Sequence, residues 1–335
     1  MAVAILPSGL GPLTDSISSV SLDSSAYPHI LETVLIYASR EALISLRGVS
    51  HALRDRADAL LSDHILFTSY SPTDVFGKQG RIPGLWPASV WATEGEARVL
   101  SYARIADILG PFSAPSSRTS QLASVLNLDA VRLRHHPAGP VSSVCPLHAP
   151  LLVTFTTFAD VASWDHPAVA EVGPVPDGVE VFVLNLRYDP GRSWMPQAHV
   201  PPFARPRSLK RIVIVFTEKT THQEEEVWFR RASKPMGLLN SIVLGMTMAL
   251  PRGVEYTLVD AETLRPEWLG TEGGGEGAAG AIERAIKGSV AAGLVKWERW
   301  SEEVAAEAVG AIAFRTRTEY RAEVGEEAFR LHTIE

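Results

Sequence analysis

The chain has 335 residues, which is enough for one large domain and a small additional module. Its net charge of -7 argues against a nucleic-acid-binding protein, because such proteins usually present a basic face. Its single cysteine, Cys145, excludes an intramolecular disulfide and indicates a cytoplasmic or nuclear protein.

The first part of the chain changes from a serine-rich stretch to a helical pattern. Residues 1–26 lack helical periodicity, which predicts a disordered tail, and residues 27–65 are predicted to form a helical module. Ser39 and Ser50 are good N-cap residues, and Gly48 weakens a helix interior. The predicted helices cover residues 30–38, 40–48 and 50–61.

The apolar residues of this module exceed what its own core can hold. A stripe suited to the core runs along the first predicted helix, whereas Ile36 and Ile44 point away from the stripes of their helices. The stripe consists of Ile30, Leu31, Val34, Leu35 and Ala38. The charged residues of the third helix, Arg54, Asp55, Arg56 and Asp58, are expected on its solvated side. A module this small should therefore pack against the rest of the chain or against another protein.

After a connector at residues 66–96, short β-rich segments recur through a domain predicted at residues 97–335. The segments cover residues 126–133, 151–158, 179–188, 209–216 and 254–259. Residues 212–216 are continuously apolar, as in a strand buried on both faces. The gaps between segments leave room for crossovers, and one gap contains an apolar helix at residues 236–250. The fold class is therefore α/β with a largely parallel sheet.

The architecture of this domain is left open between two arrangements. The spacing of the segments is similar to that of degenerate leucine-rich repeats, whose stacked strands line an open face; a closed α/β layer is the alternative. Near the end, residues 302–309 are expected to be helical and residues 311–317 to form a last strand. Before them, one amphipathic helix is indicated by Ile282, Ile286, Val290, Leu294 and Trp297.

No motif in the sequence indicates an enzyme or a cofactor. Residues 275–280 match the letters of a dinucleotide-binding fingerprint, but no predicted strand leads into them, so a surface loop is favoured. A zinc site and a cysteine nucleophile are disfavoured because paired-cysteine spacing and an orienting third group are absent. The residues concerned are His135, His136, Cys145 and His148. The apolar stretch 236–250 is shorter than the about 20 residues of a membrane-spanning helix.

The segment 27–55 resembles an F-box. A proline opens the first helix, an Ile-Leu pair follows, and a Leu-x-x-Leu-Arg-x-Val-Ser stretch leads into a basic third helix. The matching residues are Tyr27, Pro28, Ile30, Leu31, Val34, Leu35, Leu43, Leu46, Arg47, Val49, Ser50, Leu53 and Arg54. The resemblance is strong over residues 27–61 and looser beyond them, and the chain, including its downstream strands and residues 319–325, looks like F-box-like proteins of basidiomycete yeasts.

This resemblance implies a substrate receptor that performs no chemistry itself. The module would dock on the adaptor of a cullin-type ubiquitin ligase, and the C-terminal domain would present an unknown target protein. The expected adaptor-binding residues are Tyr27, Pro28, Ile30, Leu31, Val34, Leu35, Ile36 and Ile44. No nucleic acid, membrane, metal or cofactor is expected. Two alternatives stay open: an α/β enzyme whose active site is not located, and a protein-binding scaffold without a ligase link.

Overall fold

A computed structural model provides the three-dimensional structure. It describes residues 28–68, 75–77, 80–81, 98–109, 124–134, 147–157, 169–171, 175–188, 197–199, 206–218, 237–264 and 280–333. Tyr27 and the predicted tail 1–26 therefore lie outside the described residues.

Three short helices open the described chain, as the sequence predicts. They are α1 (Pro28–Tyr37), α2 (Arg40–Leu46) and α3 (His51–Ser62). The side chain of Ser39 accepts a hydrogen bond from the amide of Ala42, and that of Ser50 accepts one from Leu53. Both serines are thus the N-caps that the sequence predicts, because each satisfies an amide that the first helical turn leaves without a partner.

The described strands build a sheet of ten and a separate pair. The ten are β1 (His64–Thr68), β2 (Val75–Gly77), β3 (Gly80–Arg81), β4 (Ile105–Leu109), β5 (Ala130–Arg134), β6 (Leu151–Thr157), β8 (Val181–Tyr188), β10 (Arg211–Glu218), β11 (Glu255–Val259) and β12 (Ala313–Arg315). The pair consists of β7 (Val169–Glu171) and β9 (Gln197–His199). The predicted α/β class with a largely parallel sheet is confirmed, since only two pairs of the large sheet among the described strands, β1–β2 and β2–β3, are antiparallel.

The parallel strands follow one another across the sheet in chain order, from β1 through β4, β5, β6, β8, β10 and β11 to β12. Among the parallel strands the order therefore does not reverse, whereas β2 and β3 extend the sheet on the other side of β1. Crossovers between parallel strands are right-handed in about 98% of cases, so a uniform strand order places successive crossovers on one face of the sheet. The crossover residues that the structure describes, among them Leu100, Leu128 and Ile242, do pack on one face.

The crossover side, here called the first face, carries the larger core. Phe182, Leu184, Ile212, Ile214 and Leu258 point to it. The helices that pack there are α4 (Gly237–Ala249), α5 (Ala281–Gly293) and α6 (Glu302–Gly310), through residues such as Met246, Ile286 and Val309. The predicted apolar crossover helix is thus α4, and it lies between β10 and β11.

The opposite side, here called the second face, has a smaller core of its own. Val153, Val183, Val213, Val215 and Val259 point to it, because successive side chains in a strand alternate between faces. Two helices at the end of the described chain pack on them, α7 (Arg317–Val324) and α8 (Glu326–Thr333), through Tyr320 and Phe329. We call α7 and α8 together the C-terminal strap.

Several elements differ from the sequence-based expectation. The strand predicted at residues 126–133 begins only at Ala130, and the last strand, predicted at 311–317, covers Ala313–Arg315. Thr316 then caps α7 with a capping box, so the chain becomes helical there. The sheet also includes β1, whose residues fall in the range predicted for the module and the connector. The strap was not predicted.

Trp297 was expected on the buried stripe of the helix at residues 282–297, and this was wrong. Ile282, Ile286, Val290 and Leu294 are buried, but Trp297 is half exposed. The chain widens into a π-helical segment at Leu294–Glu298, which changes the angular spacing of the side chains. Trp297 therefore leaves the stripe that the preceding turns define.

Candidate protein-binding surface

The three N-terminal helices close a small core of their own. Leu35 from α1, Leu43 from α2 and Ala57 and Leu61 from α3 are buried together. The core cluster of the sheet's first face and that of its second face do not include these residues. The described module therefore uses only one side of α1 for its own packing.

An ion-pair cluster inside the module links α2, α3 and the chain before β4. The Arg47 Nε lies 2.5 Å from Asp58 Oδ1, and the Arg98 Nη2 lies 3.2 Å from Asp58 Oδ2. Arg98 also pairs with Asp55. The expectation that Asp58 lies on the solvated side of α3 was wrong: its side chain is fully buried, because two guanidinium groups replace the water that a carboxylate requires.

Exposed apolar residues line the edge of α1 next to the side that packs in the module core. Ile30, Val34 and Tyr37 are 47%, 55% and 85% exposed. Their spacing of four and three residues places them along one helix face. We call these three residues the α1 ridge. Single exposed apolar residues are common, but a contiguous row indicates an interaction surface.

The predicted site residues divide into three groups. Pro28, Ile30, Val34 and Ile36 are exposed, whereas Leu31 and Ile44 are half buried beside the module core. Leu35 is 1% exposed and lies in that core, so it cannot contact a partner while the module stays folded. Tyr27 lies outside the described residues. Sequence reasoning missed Tyr37, although its position three residues after Val34 continues the row.

A second polar cluster lies on the second face where β1, β4 and β5 run side by side. The buried Asp107 is 3.1 Å from His64 Nε2, 3.3 Å from Arg132 Nε and 2.8 Å from an Arg134 terminal nitrogen. Burial acts to raise the pKa of Asp107, but the hydrogen bond from His64 and the charges of both arginines hold that pKa below its usual value. The carboxylate is therefore an ionised partner for the cations. Sequence reasoning did not identify this cluster.

The motifs considered for metal or cofactor binding gain no support within the described ranges. His135, His136, Cys145 and residues 275–279 lie outside these ranges. The Nδ1 of His148 is 3.3 Å from the carbonyl oxygen of Asp177, which it can reach as a donor. No group of three or more His, Cys, Asp or Glu side chains suited to a metal ion occurs among the described residues.

The helices of the described ranges include none with the length and apolar character needed to cross a membrane. Comparison with known proteins adds no relationship, because no protein-family profile, curated protein or solved structure matches the chain.

Proposed function

We propose that this chain is a protein-binding substrate receptor. Its N-terminal module docks on the adaptor subunit of a cullin-type ubiquitin ligase, and its α/β domain presents a target protein. The proposal combines the F-box resemblance of residues 27–61 with one structural observation, the α1 ridge. The module core is complete without Ile30, Val34 and Tyr37, so these side chains are available to a foreign subunit.

The energy available from the ridge is sufficient for docking. Burying a Val or Ile side chain completely contributes about 1.5–3 kcal/mol. Ile36 adds a fourth exposed apolar residue on the other side of α1. Ile30 and Val34 are about half exposed, so burying the rest of both side chains contributes about 1.5–3 kcal/mol together, or about one to two powers of ten in affinity, since about 1.4 kcal/mol corresponds to a factor of ten.

The α/β domain also has features that suit target presentation. Its parallel strands follow chain order, and the crossover helices that the structure describes between them, α4, α5 and α6, pack on the first face. This strand order supports the leucine-rich-repeat-like alternative for the architecture, in which one face of the sheet contacts another protein. We propose that the target engages this second face.

The test of docking substitutes residues of the α1 ridge and leaves the buried core of the module unchanged. We expect the purified chain to bind the purified adaptor of a basidiomycete yeast in isothermal titration calorimetry. The double variant Ile30→Asp/Val34→Asp should weaken binding by about 100-fold or more, because it removes two apolar contacts and places charges in the interface. Circular dichroism should show unchanged helix content, since both residues are exposed.

A matched control comes from the other end of the chain. Val304 on α6 is exposed to a similar degree, so Val304→Asp should leave adaptor binding at the wild-type level. Failure of the wild-type chain to bind the adaptor would remove the ligase role. Capture of other proteins through the ridge, without the adaptor, would instead favour a scaffold with no ligase link.

A further inference from the structure

The C-terminal strap covers an apolar surface that the rest of the described fold leaves open. Val153, Val183, Val213 and Val215 form adjacent rows on the second face, with Phe155 beside them. Tyr320 and Phe329 of the strap are buried against these rows. Without the strap, the face would expose a contiguous apolar patch of the kind that marks protein interaction sites.

Side chains, rather than sheet pairing, hold the strap in place. At its start, Arg317 donates to Asp260 through both its backbone amide, at 2.8 Å, and its Nε, at 2.6 Å. At its end, the Asn185 amide donates to the carbonyl of His332 at 2.7 Å. Among the described residues, no backbone-to-backbone hydrogen bond joins the strap to a strand. The strap can therefore leave without breaking the ladder of the sheet.

The middle of the strap shows which chemistry the second face accepts. Tyr320 inserts an aromatic ring, and Glu323 accepts a hydrogen bond from Arg211 of β10 at 2.5 Å. The Arg211 guanidinium also lies over the Tyr320 ring, 5.9 Å from its centroid. The face thus combines an apolar floor with a cation at its margin, and it accommodates helices that carry an aromatic residue and a carboxylate on one side.

We propose that the strap is an internal competitor for the target, and that the target segment is an amphipathic helix with aromatic and acidic residues on one side. The target helix displaces the strap from the second face, where it packs on the valine rows and pairs with Arg211. This inference rests on the proposed function as a target-presenting receptor, but it concerns the sheet and not the adaptor-binding module.

The first experiment tests competition in the full-length chain. A fluorescent synthetic peptide of residues 316–335 serves as the probe, and fluorescence anisotropy reports its binding. The variant Phe329→Asp weakens the attachment of the chain's own strap and should bind the peptide at least tenfold more tightly than the wild-type chain does. Arg330→Ala changes the neighbouring exposed residue and should bind the peptide no better than the wild type.

The second experiment keeps the proposal testable even if Phe329→Asp unfolds the chain. Hydrogen–deuterium exchange of the wild-type chain should show the strap amides exchanging at least tenfold faster than those of β8 and β10. Equal protection of strap and strands would mean that the strap opens only in global unfolding, and would overturn the proposal. So would equal peptide binding by a folded Phe329→Asp variant and the wild type. Neither readout involves the adaptor, so failure of the docking proposal can be distinguished from failure of the strap proposal.

Discussion

Asp58 shows how the position of one charged residue depends on partners far from it in sequence. It follows Arg54, Asp55 and Arg56, and such a run predicts a solvated helix face. In the structure, the side chain points inward and meets Arg47 and Arg98. Arg98 lies 40 residues further along the chain, so local sequence reasoning cannot supply it as a partner.

Replacement of Asp58 should therefore destabilise the fold more than replacement of its neighbour. Removal of one partner from a buried polar pair costs about 1–3 kcal/mol, whereas an exposed pair contributes about 0–1 kcal/mol. Asp58→Asn should lower the free energy of unfolding by about 1–3 kcal/mol, and Asp55→Asn by about 0–1 kcal/mol. Both carboxylates pair with Arg98, but Asp58 is fully buried and the Asp55 side chain is 47% exposed.

Urea denaturation followed by circular dichroism measures both values. Equal losses in the two variants would contradict the argument, because they would show that burial of Asp58 adds nothing to the strength of its ion pairs.

At the candidate site, too, local sequence reasoning could not supply packing partners that lie far away in the chain. Periodicity predicted that Ile30, Leu31, Val34 and Leu35 all belong to a stripe facing the core, which was wrong for Ile30 and Val34. It could not predict which edge of that stripe the module core would use, since this depends on where α3 places Ala57 and Leu61. The structure buries Leu35 and leaves Ile30 and Val34 exposed.

At the scale of elements, local chemistry predicted the caps of α2 and α3 and the long apolar strands, because serine caps and continuous apolar runs are local signals. The strap escaped prediction because its sequence is rich in charged residues, and only three of its apolar side chains, those of Tyr320, Val324 and Phe329, belong to the core of the second face. β1 and β4 also escaped prediction, although they are as long as β5 and β11, which the sequence did predict.

A close approach of α4 and α5 leads to a prediction for the helices of the first face. A Cβ atom added at Gly293 would lie 2.7 Å from the Oγ1 of Thr247 and 3.1 Å from its Cγ2. Thr247 is buried, and its hydroxyl donates to the carbonyl of Val243, so it has little freedom to move. Overpacking costs about 1–3 kcal/mol, and we expect Gly293→Ala to lower the free energy of unfolding by about 1 kcal/mol or more.

Gly288 on the same helix is the matched control. A Cβ atom there meets nothing within 4 Å, so Gly288→Ala should raise stability by up to about 1 kcal/mol through helix propensity. Thr247→Ala removes the clashing atoms and should recover part of the loss in a Gly293→Ala background. Thermal denaturation of these three variants and of the wild-type chain measures the effects; stabilisation by Gly293→Ala alone would contradict the predicted clash.

At the scale of the whole molecule, the strap makes stability depend on pH. Burial, followed by the nearby charge of Arg211, lowers the pKa of His332 to about 4 from its ordinary value of 6.5. The Tyr320 hydroxyl, 2.7 Å from the Nδ1 of His332, is itself buried, and its pKa is raised to about 12 mainly by that burial. The His332 imidazole therefore stays neutral in the folded chain well below the pH at which an unfolded histidine takes up a proton.

Between pH 6.5 and about 4, the unfolded state binds more protons at His332 than the folded state does, so stability falls as the pH falls. We expect this histidine alone to remove about 2 kcal/mol from the free energy of unfolding between neutral pH and about pH 5. The variant His332→Gln should show a correspondingly weaker pH dependence in urea denaturation. His51→Gln replaces an exposed histidine and should keep the wild-type dependence; identical slopes for all three chains would contradict the argument.

The junction at Asp63 has a consequence for how a receptor of this design would work. Helix α3 ends at Ser62 and β1 begins at His64, so a single residue separates module and sheet. The Asp63 carbonyl accepts hydrogen bonds from the amides of Arg104 at 2.8 Å and Ile105 at 3.0 Å. Arg98 also forms ion pairs with Asp55 and Asp58 of α3. These contacts would then fix the orientation of a bound adaptor relative to a bound target. An insertion of two residues at Asp63 would change the orientation of the bound target relative to the rest of the ligase, although each binding surface stayed intact.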